Sequence, residues 1–126
     1  MYAIAYIRTS TGQSEDNLGS ENNIQEQAIT DYCEANHVTL CEVFQDYYAT
    51  GANFERIAWK QMENYLIGVP DFIDFLIVNT YDRISRNRMA VTDTIETLKS
   101  KHGVTVLSLE YSNFPQEELA KLLAND

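Results

Sequence analysis

Tyr2-Ala3-Ile4-Ala5-Tyr6-Ile7-Arg8-Thr9-Ser10 is the stretch that decides the fold. Tyr2 to Ile7 is nearly continuous apolar chain, without the alternation of a strand that keeps one face in water. It reads as a strand buried on both sides, which requires helices over both faces of its sheet. The run then switches abruptly to a guanidinium and two hydroxyls.

The rest of the chain repeats that pattern. A polar segment over residues 9–19 leads to a helix predicted at 22–36, capped by Asn22 with Gln25 three residues on. Its apolar face is expected at Ile24, Ala28, Tyr32 and Ala35. Residues 38–44 form a second strand and 46–53 a loop. A helix over 55–67 carries Trp59, Met62 and Leu66, and Gly68 and Pro70 end it. Residues 72–78 are a third strand and 80–85 a loop. A helix over 86–101 has Gly103 past its end, with Ser85 as a possible cap. Residues 104–109 are the fourth strand, and a short helix is expected near 116–123. Strands alternating with helices predict an α/β domain: a mainly parallel sheet of four to five strands flanked by helices, one domain over residues 1–126.

The totals narrow the functions. The apolar runs are too short to span a bilayer, and no signal peptide is visible. Cys33 and Cys41 make no C-x-x-C pair, so reduced thiols in a cytoplasmic protein are expected. The formal net charge is −10. Nonspecific affinity for DNA comes from surface cations, so the isolated chain is expected to bind DNA weakly or not at all.

Against that acidity, the arginines are informative. There are five, and Arg8, Arg56, Arg83 and Arg86 all follow predicted strands. In open α/β sheets ligands bind at the carboxyl ends of strands, so Arg8 and Ser10, then Asp46, Thr50 and Arg56, then Asp82, Arg83 and Arg86 fall on one edge if the sheet is parallel. A cap by Ser85 would add free N–H groups there. Together they predict an anion site, and planar guanidiniums suit phosphate. His37 and His102 lie at the opposite edge, against a Ser-His-Asp triad. No phosphate-binding loop of the nucleotide-hydrolase type is present. The acidic residues are scattered and no His/Cys spacing fits a metal, so no metal and no cofactor is expected.

These motifs resemble the serine recombinase family, the resolvase/invertase and large serine integrase group. Tyr6-Ile7-Arg8-Thr9-Ser10 matches its Tyr-x-Arg-x-Ser. Gln27 matches a helix glutamine, Thr50-Gly51 through Arg56-Ile57 a Ser-Gly…Arg-Pro segment, and Asp82-Arg83-Ile84-Ser85-Arg86 its Asp-Arg-Leu-x-Arg. The resemblance spans residues 1–109. It implies that Ser10 attacks a DNA phosphodiester to give a 5′-phosphoserine link, that the ester conserves the bond energy without ATP, and that subunits of a dimer or tetramer exchange and religate strands. Arg8, Arg83 and Arg86 would hold the scissile phosphate. Asp82 would orient an arginine or assist proton transfer. Tyr6, Gln27, Asp46, Thr50 and Arg56 would support the site.

The sequence departs at Thr50, which keeps a hydroxyl, and at Ile57, which replaces proline. The family's long dimer-forming helix and DNA-binding region have little counterpart here, so a catalytic domain of a larger protein or a shortened copy is expected, with weak self-association and no activity in isolation. Two other readings remain: a degenerate recombinase-fold module that pairs with an intact relative, and an unrelated phosphate-binding α/β protein such as a small phosphoesterase.

Overall fold

The structure is a computed structural model that describes residues 1–9, 15–47 and 56–111, with residues 15–20 and 111 described by backbone alone. Four strands, β1 (Tyr2–Arg8), β2 (Thr39–Asp46), β3 (Phe75–Val78) and β4 (Thr105–Ser108), alternate with three helices, α1 (Glu15–Ala35), α2 (Ile57–Gly68) and α3 (Arg88–His102). All pairings are parallel, in the order β2-β1-β3-β4. The expected parallel α/β architecture is therefore present, with four strands among the described residues.

Strand β1 is central, and its side chains divide the core. Ile4 and Tyr6 join Ala58, Met62 and Leu66 of α2 and Val91 and Leu98 of α3 on one face. Ala3, Ala5 and Ile7 join Ile29, Tyr32 and Cys33 of α1 on the other. Each fully buried aliphatic side chain contributes about 2 kcal/mol, so both layers hold β1 in place. The chain leaves β1 toward β2 over one face and returns to β3 over the other. The carboxyl ends of β1 and β3 are the switch point, where connections depart in opposite directions and open a crevice.

Several boundaries differ from those read in the sequence. Helix α1 starts at Glu15, not Asn22, so Asn22 is an interior residue rather than a cap. Its buried stripe is Asn22, Gln25, Ile29, Tyr32 and Cys33, while Ile24 is 71% exposed. The expected face through Ile24, Ala28 and Ala35 was rotated because the buried stripe includes two polar residues. Helix α3 is capped by Asn87, whose side chain accepts from the N–H groups of Met89 and Ala90. Ser85 Oγ instead accepts from Asn87 N at 3.1 Å, so it braces the cap. Gly103 ends α3 at φ 68°, with Gly103 N on Lys99 O and Val104 N on Leu98 O. This left-handed turn explains the glycine. His37, at φ 57°, plays the same part after α1. The short helix expected near 116–123 lies outside the described residues.

Among the described residues no helix is long and apolar enough to cross a membrane. Cys33 is 2% exposed, and burial pushes its thiol up to about 11. The thiolate is the reactive species, so Cys33 should resist alkylation in neutral buffer and label at the unfolded rate once denaturant is added. Cys41, half-buried, should label first. Mass spectrometry after iodoacetamide checks the order, and equal labelling in the native protein would contradict the packing.

Candidate active site

The crevice between the ends of β1 and β3 collects most of the predicted residues. Arg8 ends β1 and is 9% exposed. Its Nη2 donates to the backbone oxygen of Asp82 at 2.6 Å, across the switch point. Asp82 and Arg83 lie in a 3₁₀ turn, Tyr81–Arg83, just after β3. Arg83 Nη1 meets Glu21 Oε1 of α1 at 3.3 Å. The Asp82 carboxylate accepts from Thr80 Oγ1 and stands 3.9 Å from Arg83 Nε. Burial lowers the pKa of Arg8; Tyr6 and Asp82 oppose the shift, and the charges of Arg56 and Arg83 add to it. Arg8 donates to the residue that precedes Arg83, so the two guanidiniums share the end of the crevice, and like charges gathered there favour an anion.

Arg56 is delivered by the start of α2, and Asp46 explains how. Arg8 and Asp46 are opposite one another in the β1–β2 pairing. Asp46 Oδ1 accepts from Ala58 N at 2.9 Å, and Oδ2 from Trp59 N at 3.2 Å and Tyr6 Oη at 2.7 Å. The side chain at the N-cap, Arg56, makes no capping bond. A carboxylate from the end of β2 therefore caps α2 and satisfies its free N–H groups. Arg56 then lies with its guanidinium carbon 4.4 Å from the Trp59 ring and 5.3 Å from the Tyr6 ring. Its Nε donates to Tyr6 Oη at 3.4 Å. Flat stacking on aromatic faces suits arginine and not lysine.

One of the expected residues stands elsewhere. Gln27 is exposed, and its Nε2 donates to Asp31 Oδ1 at 2.8 Å. The glutamine against the site is Gln25, 2% exposed, whose Nε2 donates to the backbone oxygen of Arg8 at 3.1 Å. Asn22 beside it donates to Asp46 O at 3.5 Å. A helical stripe continued backwards from Tyr32 and Ile29 reaches Gln25 and Asn22, and that periodicity is the signal in the sequence that identifies them. Arg86 is exposed and lines a cleft of about 420 Å³ that Asp82, Tyr81 and Ser85 also line, so it adjoins the crevice through the turn after β3. Ser10 and Thr50 lie outside the described residues. His37 and His102 adjoin the amino ends of β2 and β4, away from the arginines.

Tyr6 has no exposure, and burial pushes its hydroxyl up to about 12. In the unfolded chain a tyrosine ionises near pH 10. The folded state holds this proton more tightly. The resulting stability is fully present below about pH 10 and is lost as the pH rises to about 12, on the order of 2 kcal/mol. Tyrosinate absorbance and urea melts of the wild type against Tyr6→Phe check this; a Tyr6 that ionises with the surface tyrosines would contradict it.

A doubly wound parallel sheet with guanidiniums at its switch point defines an anion-handling α/β domain. Residues 3–125 match the family described as "Resolvase, N terminal domain", and the chain belongs to that family. The family is one of recombinases. Three solved structures share the fold. The N-terminal catalytic domain of TP901-1 integrase is 25% identical, with 98% of this chain and 92% of that one covered and a TM-score of 0.67. The C-terminal catalytic domain of ISC1926 TnpA, an IS607-like serine recombinase, is 23% identical, with 99% and 78% covered and a TM-score of 0.69. A resolvase family site-specific recombinase from Streptococcus pneumoniae is 19% identical, with 99% and 86% covered and a TM-score of 0.74. No curated protein matches the chain.

Proposed function

We propose that this domain catalyses site-specific DNA recombination with Ser10 as the nucleophile. The observation that carries the reading is the arrangement of three arginines about the end of the strand that leads into Ser10: Arg8 on the backbone oxygen of Asp82, Arg83 on the same turn, and Arg56 on the Tyr6 hydroxyl. Ser10 Oγ attacks the phosphorus of a DNA phosphodiester. The new P–Oγ bond replaces the P–O3′ bond, the serine proton leaves and the 3′ oxygen departs as a hydroxyl. The phosphoserine ester retains the bond energy, so the reverse attack by another 3′-hydroxyl religates the strand without a cofactor.

Charge grows on the non-bridging oxygens and the leaving oxygen during in-line attack. Arg8 is held by the backbone oxygen of Asp82, Arg83 lies beside it on the turn after β3, and Arg86 is the exposed member offered to the incoming strand. Each such donor is worth ~3–4 kcal/mol by analogy with oxyanion-hole donors. Asp82, 58% exposed at its side chain, orients Arg83 or relays the proton. Gln25 fixes the backbone at Arg8. Arg56, Tyr6 and Asp46 build one wall, and Thr50 has a supporting role by its motif alone.

DNA is the partner, held through a region other than this acidic domain, and strand exchange takes place in a dimer or tetramer of the complete protein. The test is covalent. Protein-linked DNA ends recovered under denaturing conditions from cells expressing the protein should carry the protein on the 5′ phosphate, through Ser10. Links to a 3′ phosphate would refute the assignment.

A further inference from the structure

The arginine cluster is not bare: a carboxylate of the domain already sits on it. Glu21 projects from α1, and its Oε1 meets Arg83 Nη1 at 3.3 Å, with the two side chains only 18% and 12% exposed. Two other described carboxylates near the arginines, Asp46 and Asp82, have different duties. Asp46 is locked by three hydrogen bonds into the start of α2. Asp82 is mostly exposed, engages Thr80 and approaches Arg83 no nearer than 3.9 Å. Arg56 is held against the aromatic rings of Trp59 and Tyr6, and Arg8 donates to the backbone oxygen of Asp82.

We propose that Glu21 is a resident counter-ion that occupies the phosphate's place on Arg83 and must give way when substrate binds. The inference rests on the reading of Arg83 as a phosphate ligand. Carboxylate and phosphate oxygens compete for the same guanidinium fork. In the free domain Glu21 offsets the repulsion among Arg8, Arg56 and Arg83. When a phosphodiester arrives, a rotamer change carries the partly exposed Glu21 toward water and frees Nη1. The exchange lowers affinity for small free anions, while DNA, held by many contacts elsewhere, still displaces the carboxylate. Glu21 is thus a specificity-determining residue that favours an anchored phosphodiester over free phosphate.

Inorganic phosphate titrated at constant ionic strength is the probe. The single tryptophan, Trp59, stacks on Arg56 and reports occupancy by its emission, with the thermal midpoint as a second readout. Glu21→Gln should bind phosphate about tenfold more tightly than wild type, the loss of one competing ion pair. Glu21→Asp, one methylene shorter, should show a smaller gain and serves if the glutamine variant does not fold. Glu34→Gln, an exposed change of equal charge on the same helix, should show none. In an Arg83→Ala background the gain should vanish. A gain that persists there, or equal binding by wild type and both Glu21 variants, overturns the inference and leaves the phosphate site standing. Failure of wild type and both variants to bind phosphate overturns both.

Discussion

Replacing Ser10 by alanine in the complete protein is expected to abolish covalent DNA linkage, a loss on the order of 10⁴-fold or more, as for removal of other enzymes' nucleophiles. The size follows from the chemistry. Arginines stabilise charge on the phosphate but carry no group that forms a bond to phosphorus, so their remaining contribution produces no adduct. Both histidines lie at the opposite edge of the sheet, so no alternative nucleophile of that type stands by. Circular dichroism and the thermal midpoint of the variant serve as the folding control. A DNA adduct surviving in a folded Ser10→Ala protein would eliminate the proposed mechanism. The same experiment separates the domain from a non-catalytic module of the same fold, which would form no adduct even with Ser10 present.

The second large effect is on stability, at Asp46. This carboxylate is 6% exposed and accepts three hydrogen bonds, from Ala58 N, Trp59 N and Tyr6 Oη. Asp46→Ala removes the cap of α2, worth about 1–2 kcal/mol. It also strands the buried Tyr6 hydroxyl with one weak contact to Arg56, at about 1–3 kcal/mol. The sum, about 2–5 kcal/mol, is a large part of the 5–15 kcal/mol that a domain of this kind possesses. The midpoint should fall by about 10–15 °C. Asp46→Asn, which keeps one acceptor, should lose roughly half as much. A midpoint of Asp46→Ala within 2 °C of wild type would show that the cap does not hold α2. Because Arg56 precedes α2, the variant should also weaken phosphate binding.

The fold was legible because its signal is local. Nearly continuous apolar runs at Tyr2–Ile7 and Phe75–Val78, separated by helical periodicity, already imply strands buried on both faces. Gly103 marked the end of α3 because a left-handed turn favours glycine. The start of α1 was not legible. Its first residues carry no apolar periodicity, so nothing in that polar segment marks helical backbone. The buried face of α1 was misread for a related reason. Asn22 and Gln25 are polar, and their burial is supported by backbone oxygens of Asp46 and Arg8, which lie far away in sequence.

The site divides in the same way. The sequence by itself predicted that Arg8, Arg56, Arg83 and Arg86 would stand on one edge if the sheet is parallel, because each follows a strand. It also identified the motifs that resemble a serine recombinase. Tertiary structure decided what each residue touches. It turned Asp46 from a generic edge carboxylate into the cap of α2, put Gln25 rather than Gln27 against Arg8, and seated Glu21 on Arg83. None of those partners is a neighbour in sequence. Their distances depend on how the strand order β2-β1-β3-β4 brings α1 on one face and the turn after β3 to a common crevice, and a hydrogen bond or ion pair exists only when that packing brings donor and acceptor within reach.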